Sequence, residues 1–357
     1  MAKLLNTYQL IANILSFKSN TLELKNELEN GDVDYDLLVK ITSEHLILPT
    51  IYCRLKEKNI LKSIPKDLEI YLEQITEINR NRNRSIIHQA KSISQLLDKH
   101  HIKYTFLKGT ALLLGGHYKD LGERMIGDID ILIEKDTIDY SYELFKKEYY
   151  PIKMTLGDYF FESKHLPRLK TDHYICALEL HKKLFNNSDF DGLSNRSIIK
   201  NRITIQSYYI PNKTHLFEHN ILNHQINDKG YFYNGLNFRT SYDALLLIAK
   251  HENDIIKGKL KTRETEEYIL RQKYLFKDFS NLSYKNSKKL FTHIHSNNLL
   301  RVVWIKTVTA YLHLMNILKR LIKLISNSNY RKAIWKDRQR IKALLFQIVK
   351  FEHRPRA

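Results

Sequence analysis

Residues 106–134, FLKGTALLLGGHYKDLGERMIGDIDILIE, read as a strand, a glycine turn, a short helix and a second strand. The apolar run 102–107 ends at Lys108-Gly109-Thr110, the helix core spans 110–114, and Gly115-Gly116 loosen its end. The second strand, 127–134, is β-branched and carries two acids. Side chains alternate faces along a strand, so Asp128 and Asp130 share one face while Ile129, Ile131 and Ile133 share the other. Burying an unpaired carboxylate among isoleucines is costly, and a divalent cation is the natural compensation. Hard oxygen ligands suit Mg²⁺ or Mn²⁺, which bridge carboxylates to substrate phosphates. Gly109 and Thr110 fit the same picture, because glycine lets backbone amides approach a phosphate and a helix N-terminus attracts anions. An Asp-x-Asp pair taken alone also fits a solvated strand end; the upstream Gly-Thr turn is what favours a nucleotide and its metal.

These residues resemble the bacterial, largely uncharacterised branch of the DNA polymerase β-type nucleotidyltransferase superfamily. That branch shows Leu-Lys-Gly, a short helix, Tyr, Gly-x-Arg and Gly-Asp-Ile-Asp-Ile-Leu. The chain has Leu107-Lys108-Gly109, Tyr118, Gly122-Glu123-Arg124 and Gly127-Asp128-Ile129-Asp130-Ile131-Leu132. Thr110 replaces the commoner serine of the turn and keeps its hydroxyl. The resemblance implies an α+β fold, a small mixed-sheet polymerase β-like core flanked by helical amino- and carboxyl-terminal regions.

The resemblance also implies a third carboxylate on a later strand. Residues 174–181, YICALELH, read as that strand, with Glu179 and His181 on one face. Glu179 is the expected ligand, although aspartate is commoner there and Asp172 competes. His181 is a metal neighbour, a phosphate contact or an oriented strand-end histidine. Asp128, Asp130 and Glu179 are then catalytic and hold two Mg²⁺ (or Mn²⁺) ions, roughly 3.5–4 Å apart in such sites. Lys108, Gly109, Thr110, Arg124 and His181 bind the nucleotide, with Arg124 favoured over Lys108 for neutralising the leaving group. The implied reaction moves an NMP from an NTP to an acceptor hydroxyl, on RNA or protein, and releases pyrophosphate. Rival readings are a non-catalytic nucleotide- or RNA-binding protein that keeps the fold, transfer to a small molecule, and a phosphodiesterase using the same acids.

Composition bounds the rest. The chain has 357 residues, enough for two or three domains of ~100–200 residues each. A hydrophobic content of 43% argues for a packed core and against disorder. The net charge of +19 suits an anionic partner, or reflects a Lys-, Asn- and Ile-rich composition. Cys53 and Cys176 have neither disulfide-framework nor zinc spacing, and no signal peptide or membrane-spanning run is evident, so a cytoplasmic protein is expected.

In chain order, 1–100 reads as a helical region, 101–211 as the catalytic domain and 212–357 as a helical region with a basic tail. Asp34 caps a helix, Pro49 interrupts or kinks 46–61, and Asn-Arg-Asn-Arg-Asn-Arg at 79–84 is a solvated face or a phosphate edge. Asp136 caps a helix reaching Tyr149, and 151–161 and 203–210 are strands. The basic loop 164–170 is a solvated connection or a phosphate grip. Arg239 and Asp243, at i and i+4, form a helix ion pair or position a nucleotide. The basic stretch 330–357 suggests an RNA or membrane contact, or a helix packed by its apolar face.

Overall fold

The computed structural model describes residues 2–152, 156–186, 190, 193–258, 262–282, 297–336 and 338. Five helices come first: α1 (Ala2–Leu15), α2 (Thr21–Asn30), α3 (Tyr35–Glu44), α4 (Leu48–Glu57) and the long α5 (Lys66–Lys99). Local chemistry sets their starts. Asn20 accepts hydrogen bonds from the backbone of Leu22 and Glu23, and Asp34 from that of Leu37, satisfying first-turn amides that no helix can bond internally. Pro49 stands at the opening of α4, where its missing N–H costs nothing, so it begins that helix rather than kinking it.

The sheet follows. Strands β1 (Tyr104–Phe106), β2 (Ile129–Ile133), β3 (Tyr150–Pro151), β4 (Leu169–Lys170) and β5 (Leu178–His181) form one mixed sheet in the order β1-β2-β5-β4-β3. Only β2 and β5 run parallel. Helices α6 (Lys108–Leu114) and α7 (Ile138–Phe145) flank β2 in sequence, and α8 (Leu156–Phe160) and α9 (Asn195–Lys200) flank β4 and β5. A separate hairpin, β6 (Ile203–Ile205) with β7 (Tyr208–Ile210), leads into α10 (Lys213–Leu222), a π-helical turn at Asn223–Asn227, α11 (Gly230–Tyr233), α12 (Phe238–Gly258), α13 (Arg263–Leu275), α14 (Asn298–Ser326) and α15 (Ser328–Lys336). The fold is α+β.

Strand alternation divides the sheet's two faces. Ile129, Ile131 and Ile133 enter a hydrophobic cluster that extends from Leu10 to Leu282 and ties the flanking helices to the sheet. Leu132, on the Asp130 face, joins a smaller cluster with Leu107, Phe185, Ile198 and Leu222. The site therefore lies where one face passes from carboxylates to a dry apolar floor.

The loop between α6 and β2, which delivers Asp128, is clamped from three sides. From α5, the Nδ2 atoms of Asn79 and Asn83 donate to the carbonyls of Gly122 (2.6 Å) and Arg124 (2.8 Å), Arg80 pairs with Asp120 (2.8 Å), and Arg82 donates to the carbonyls of Ile126 and Gly127 (3.3 Å each). Thr50 of α4 donates to the carbonyl of Glu123 (2.7 Å), and Tyr242 of α12 bonds its carboxylate. In the alternating Asn-Arg run, Asn79, Arg80, Arg82 and Asn83 are thus committed to the loop, while Asn81 and Arg84 stay exposed as a solvated face would. Gly122 is required where loop and helix meet, since a Cβ there would stand 2.7 Å from the carbonyl oxygen of Thr76.

Elsewhere the elements differ from the sequence expectation. Over 151–161 the described residues give only the end of a two-residue strand and helix α8, because Pro151 cannot donate to a ladder. The strand expected over 203–210 folds into the β6–β7 hairpin, turned by Gln206 in the left-handed region (φ 55°). Asp136 sits inside a 3₁₀ turn, Lys135–Thr137, and α7 begins after it without a side-chain cap. Residues 339–357, most of the expected basic tail, lie outside the described residues.

Candidate active site

Parallel pairing of β2 with β5 sets Asp130 against Glu179 and Leu132 against His181. Residues two apart on a strand share a face, so Asp130, Glu179 and His181 converge by register alone. One ligand atom from each lies within 4.8 Å of the others, and all three residues are buried. His181 Nε2 is 2.8 Å from Asp130 Oδ1 and 3.5 Å from Glu179 Oε2. Its Nδ1 is buried without a hydrogen-bond partner among the described residues.

Two cations of the chain hold this cluster. Lys108 Nζ lies 2.5 Å from Asp130 Oδ1. The lysine backbone is left-handed (φ 52°) at the first residue of α6, a conformation that costs a non-glycine residue about 1–2 kcal/mol. Arg168, immediately before β4, bonds Glu179 Oε1 through Nη2 (2.6 Å) and Nε (3.0 Å), and Nη2 also reaches Asp128 Oδ2 (2.9 Å). Asp128 thereby joins the cluster through Arg168, although it lies outside the three-residue group.

Burial opposes ionisation of Asp130, but Lys108 and His181 more than offset it and hold its carboxyl well below the usual range. Glu179 behaves alike: burial raises it, the His181 hydrogen bond lowers it, and it settles at about 2. Asp128 moves the other way, raised by burial, which Arg168 only partly counters. Lys164 has no carboxylate within ion-pair distance among the described residues, and burial beside Lys108 lowers its ammonium to about 8. His219 of α10, buried near Lys108 and His181, is pushed down to about 3 and stays neutral.

The other sequence candidates occupy different places. Thr110 is buried, with its hydroxyl 3.4 Å from the carbonyl of Asp128. Arg124 is committed to Asp243: Nε lies 3.0 Å from Oδ1 and Nη2 2.9 Å from Oδ2, while Tyr118 donates to the same carboxylate (2.7 Å). A Cβ on Gly109 would come within 3.3 Å of Arg124 Nη2, so this glycine makes room for the arginine behind the turn. Asp243 is thus the partner of Arg124 and not, as its spacing suggested, of Arg239. Half-buried Arg239 has no ion-pair partner among the described residues, and burial next to Arg124 lowers it to about 10. Asp172 is exposed and accepts from Tyr150.

Arg168 and Lys164 belong to the basic loop whose sequence left a phosphate grip and a solvated connection both open, and neither was singled out as a site residue. The available signal was topological: a basic loop feeding a strand that pairs antiparallel with β5, Leu169 against Leu178, places its basic side chains beside Glu179.

The donor set suits a hard divalent cation, with two carboxylates and an imidazole whose far nitrogen is unsatisfied. Residues 31–276 match the family described as uncharacterised nucleotidyltransferase. The chain belongs to that family. It is therefore a transferase of phosphorus-containing groups, and the resemblance seen in residues 107–132 extends over more than half the chain. A comparison with curated proteins finds no match.

Proposed function

We propose that the chain transfers an NMP from an NTP to a hydroxyl acceptor with release of pyrophosphate, using Mg²⁺ or Mn²⁺ held by Asp128, Asp130, Glu179 and His181. The observation that carries this reading is the registered pair Asp130–Glu179 on adjacent parallel strands, with His181 closing the donor set. A bound cation would supply Lewis-acid charge at the phosphate undergoing attack and make the acceptor hydroxyl more acidic.

The chain's own residues do the rest. Lys108 stays on Asp130 and keeps it ionised, so the carboxylate is ready to coordinate at any physiological pH. Arg168 leaves its carboxylates when they take a metal, and its planar fork then meets phosphate oxygens bidentately. Lys164, close by and without a carboxylate partner, adds the charge that stabilises the departing pyrophosphate. Arg124, Asp243 and Tyr118 hold the Lys108–Thr110 turn from behind. Leu107, Leu132 and Phe185 keep the floor dry, which strengthens each of these charge interactions. The basic balance of the chain supports an anionic acceptor, an RNA 3′ end first and a protein hydroxyl second.

The test is incubation with each α-³²P NTP, Mg²⁺ or Mn²⁺ and total cellular RNA or protein extract, alongside Asp128→Ala/Asp130→Ala. Label entering RNA or protein only with the unsubstituted chain is the expected result and identifies the nucleotide and acceptor class. Release of labelled nucleoside monophosphate instead of pyrophosphate would replace transfer by hydrolysis. Absence of both would end the macromolecular-acceptor reading.

A further inference from the structure

Helix α14 lies outside the stretch that matches the nucleotidyltransferase family, and its surface is unlike that of the other helices. It has 29 residues, about 43 Å at the usual helical rise, and is capped by Asn297, whose side chain accepts from Leu299 and Leu300. It meets the body through Trp304, whose indole donates to the carbonyl of Tyr233 (3.1 Å), and through Val308, which is buried. Farther on, Tyr330 of α15 packs edge-on against Phe160 of α8, ring centroids 5.0 Å apart.

Between these anchors the helix turns an apolar stripe to solvent. Tyr311, Leu314, Leu318, Leu321 and Ile325 recur at alternating intervals of three and four and fall within an arc of about 80°. All five are exposed, Leu314 at 54% and Ile325 at 79%. Met315, Ile317 and Ile322 widen the stripe on both sides. In a two-stranded coiled coil those flanking positions carry charges that pair the helices; here they are apolar, so the stripe is broader than a dimer seam. Lys306, Lys319, Arg320 and Lys323 occupy the remaining arc, Arg301 turns to Tyr8 of α1, and the helix contains no acid. Two copies face to face would bring like charges together without a compensating carboxylate.

Charge and breadth instead match an anionic lipid surface, which accepts an apolar face at the headgroup boundary and attracts Lys and Arg around it. The next helix continues the pattern. Arg331, Lys332 and Lys336 surround Trp335, which is 72% exposed and has the Arg338 guanidinium 5.5 Å from its ring. Across residues 298–338 nine Lys and Arg stand against one acid, Asp337. Among the described residues no helix is long and apolar enough to cross a membrane, so the contact lies along the surface.

We propose that α14 and α15 dock the protein onto an anionic phospholipid bilayer, with the Tyr311–Ile325 stripe entering the headgroup boundary and the flanking lysines and arginines meeting lipid phosphates.

The test is flotation of the full chain with vesicles of phosphatidylcholine alone or of equal parts phosphatidylcholine and phosphatidylglycerol, alongside Leu318→Glu/Leu321→Glu/Ile325→Glu. The expected result is binding to the anionic vesicles only, weakened by salt, with a blue shift in tryptophan emission that Trp335→Phe abolishes. The triple variant should weaken binding by about tenfold or more while leaving circular dichroism and metal-dependent nucleotide binding in the absence of vesicles unchanged. No binding to anionic vesicles overturns the proposal. So does binding that the triple variant retains, or an equal salt-sensitive affinity for RNA, since either makes the contact purely electrostatic. A dimer that the variant dissociates in light scattering assigns the stripe to a second copy. A lowered melting temperature assigns it to packing within the chain itself.

Discussion

The guanidinium of Arg168 lies 2.6 Å from Oε1 of Glu179, a carboxylate proposed to hold the divalent cation. The same Nη2 reaches Asp128 at 2.9 Å, so one side chain neutralises two of the proposed ligands. Guanidinium and metal cannot both occupy those oxygens. Arg168→Ala should therefore bind Mn²⁺ more tightly in the absence of nucleotide, by about tenfold, or ~1.4 kcal/mol, in an electron paramagnetic resonance titration. Its kcat/KM should fall, because the same arginine serves the phosphates during turnover. Metal affinity unchanged or weakened in the variant would remove Arg168 from competition with the metal.

Lys108 and Asp130 should behave as a coupled pair. Breaking a buried ion pair from one side costs about 3–5 kcal/mol, and the Lys108 side chain is 25% exposed, so Asp130→Asn should cost nearer 2 kcal/mol in urea unfolding. Lys108→Met combined with Asp130→Asn should recover part of that loss, because no buried charge is then left alone. Neither variant should transfer nucleotide. Additive destabilisation in the double variant would show that the 2.5 Å contact does not couple the two residues energetically.

The central strand-turn-helix-strand and the converging acids were legible in the sequence because both rest on local rules. Period-two alternation assigns Asp130 and Ile131 to opposite faces, and a Gly-rich turn after an apolar run marks the helix start. What escaped reading was long-range. Asn79 and Asn83 are ordinary polar helix residues until the loop 120–127 is laid across α5, and Arg168 is an ordinary loop arginine until β4 is paired with β5. Arg124 was readable as a conspicuous cation but not as the partner of Asp243, 119 residues later. Spacing along one helix suggested Arg239 for that role, a local rule that tertiary packing overrode.

Arg124 and Asp243 supply a separate test of structure against chemistry. Both are buried and share three hydrogen bonds plus the Tyr118 hydroxyl. Arg124→Met and Asp243→Asn should each lower stability by about 3–5 kcal/mol, read as a shift in urea midpoint, with a double variant far less than additive. Tyr118→Phe should cost about 1–2 kcal/mol. A normal midpoint with reduced kcat in Arg124→Met would return this arginine to the leaving group.

Lys164 gives the pH dependence. Its ammonium titrates at about 8 in the folded chain against 10.5 ordinarily, because burial beside Lys108 disfavours the charge. Phosphate contact requires the protonated form, so nucleotide affinity should be highest below pH 8 and weaken by up to about tenfold per pH unit above it. Fold stability should move oppositely. Below pH 8 the folded and unfolded chains both hold the proton and the lysine contributes no slope. Between 8 and 10.5 the unfolded chain binds more protons, so the contribution of Lys164 to stability rises with pH. Lys164→Met should flatten both trends, measured as nucleotide Kd by calorimetry and as urea midpoint across pH 7–10. A steep loss of nucleotide affinity above pH 8 that persists in Lys164→Met would mean that another group binds the phosphates.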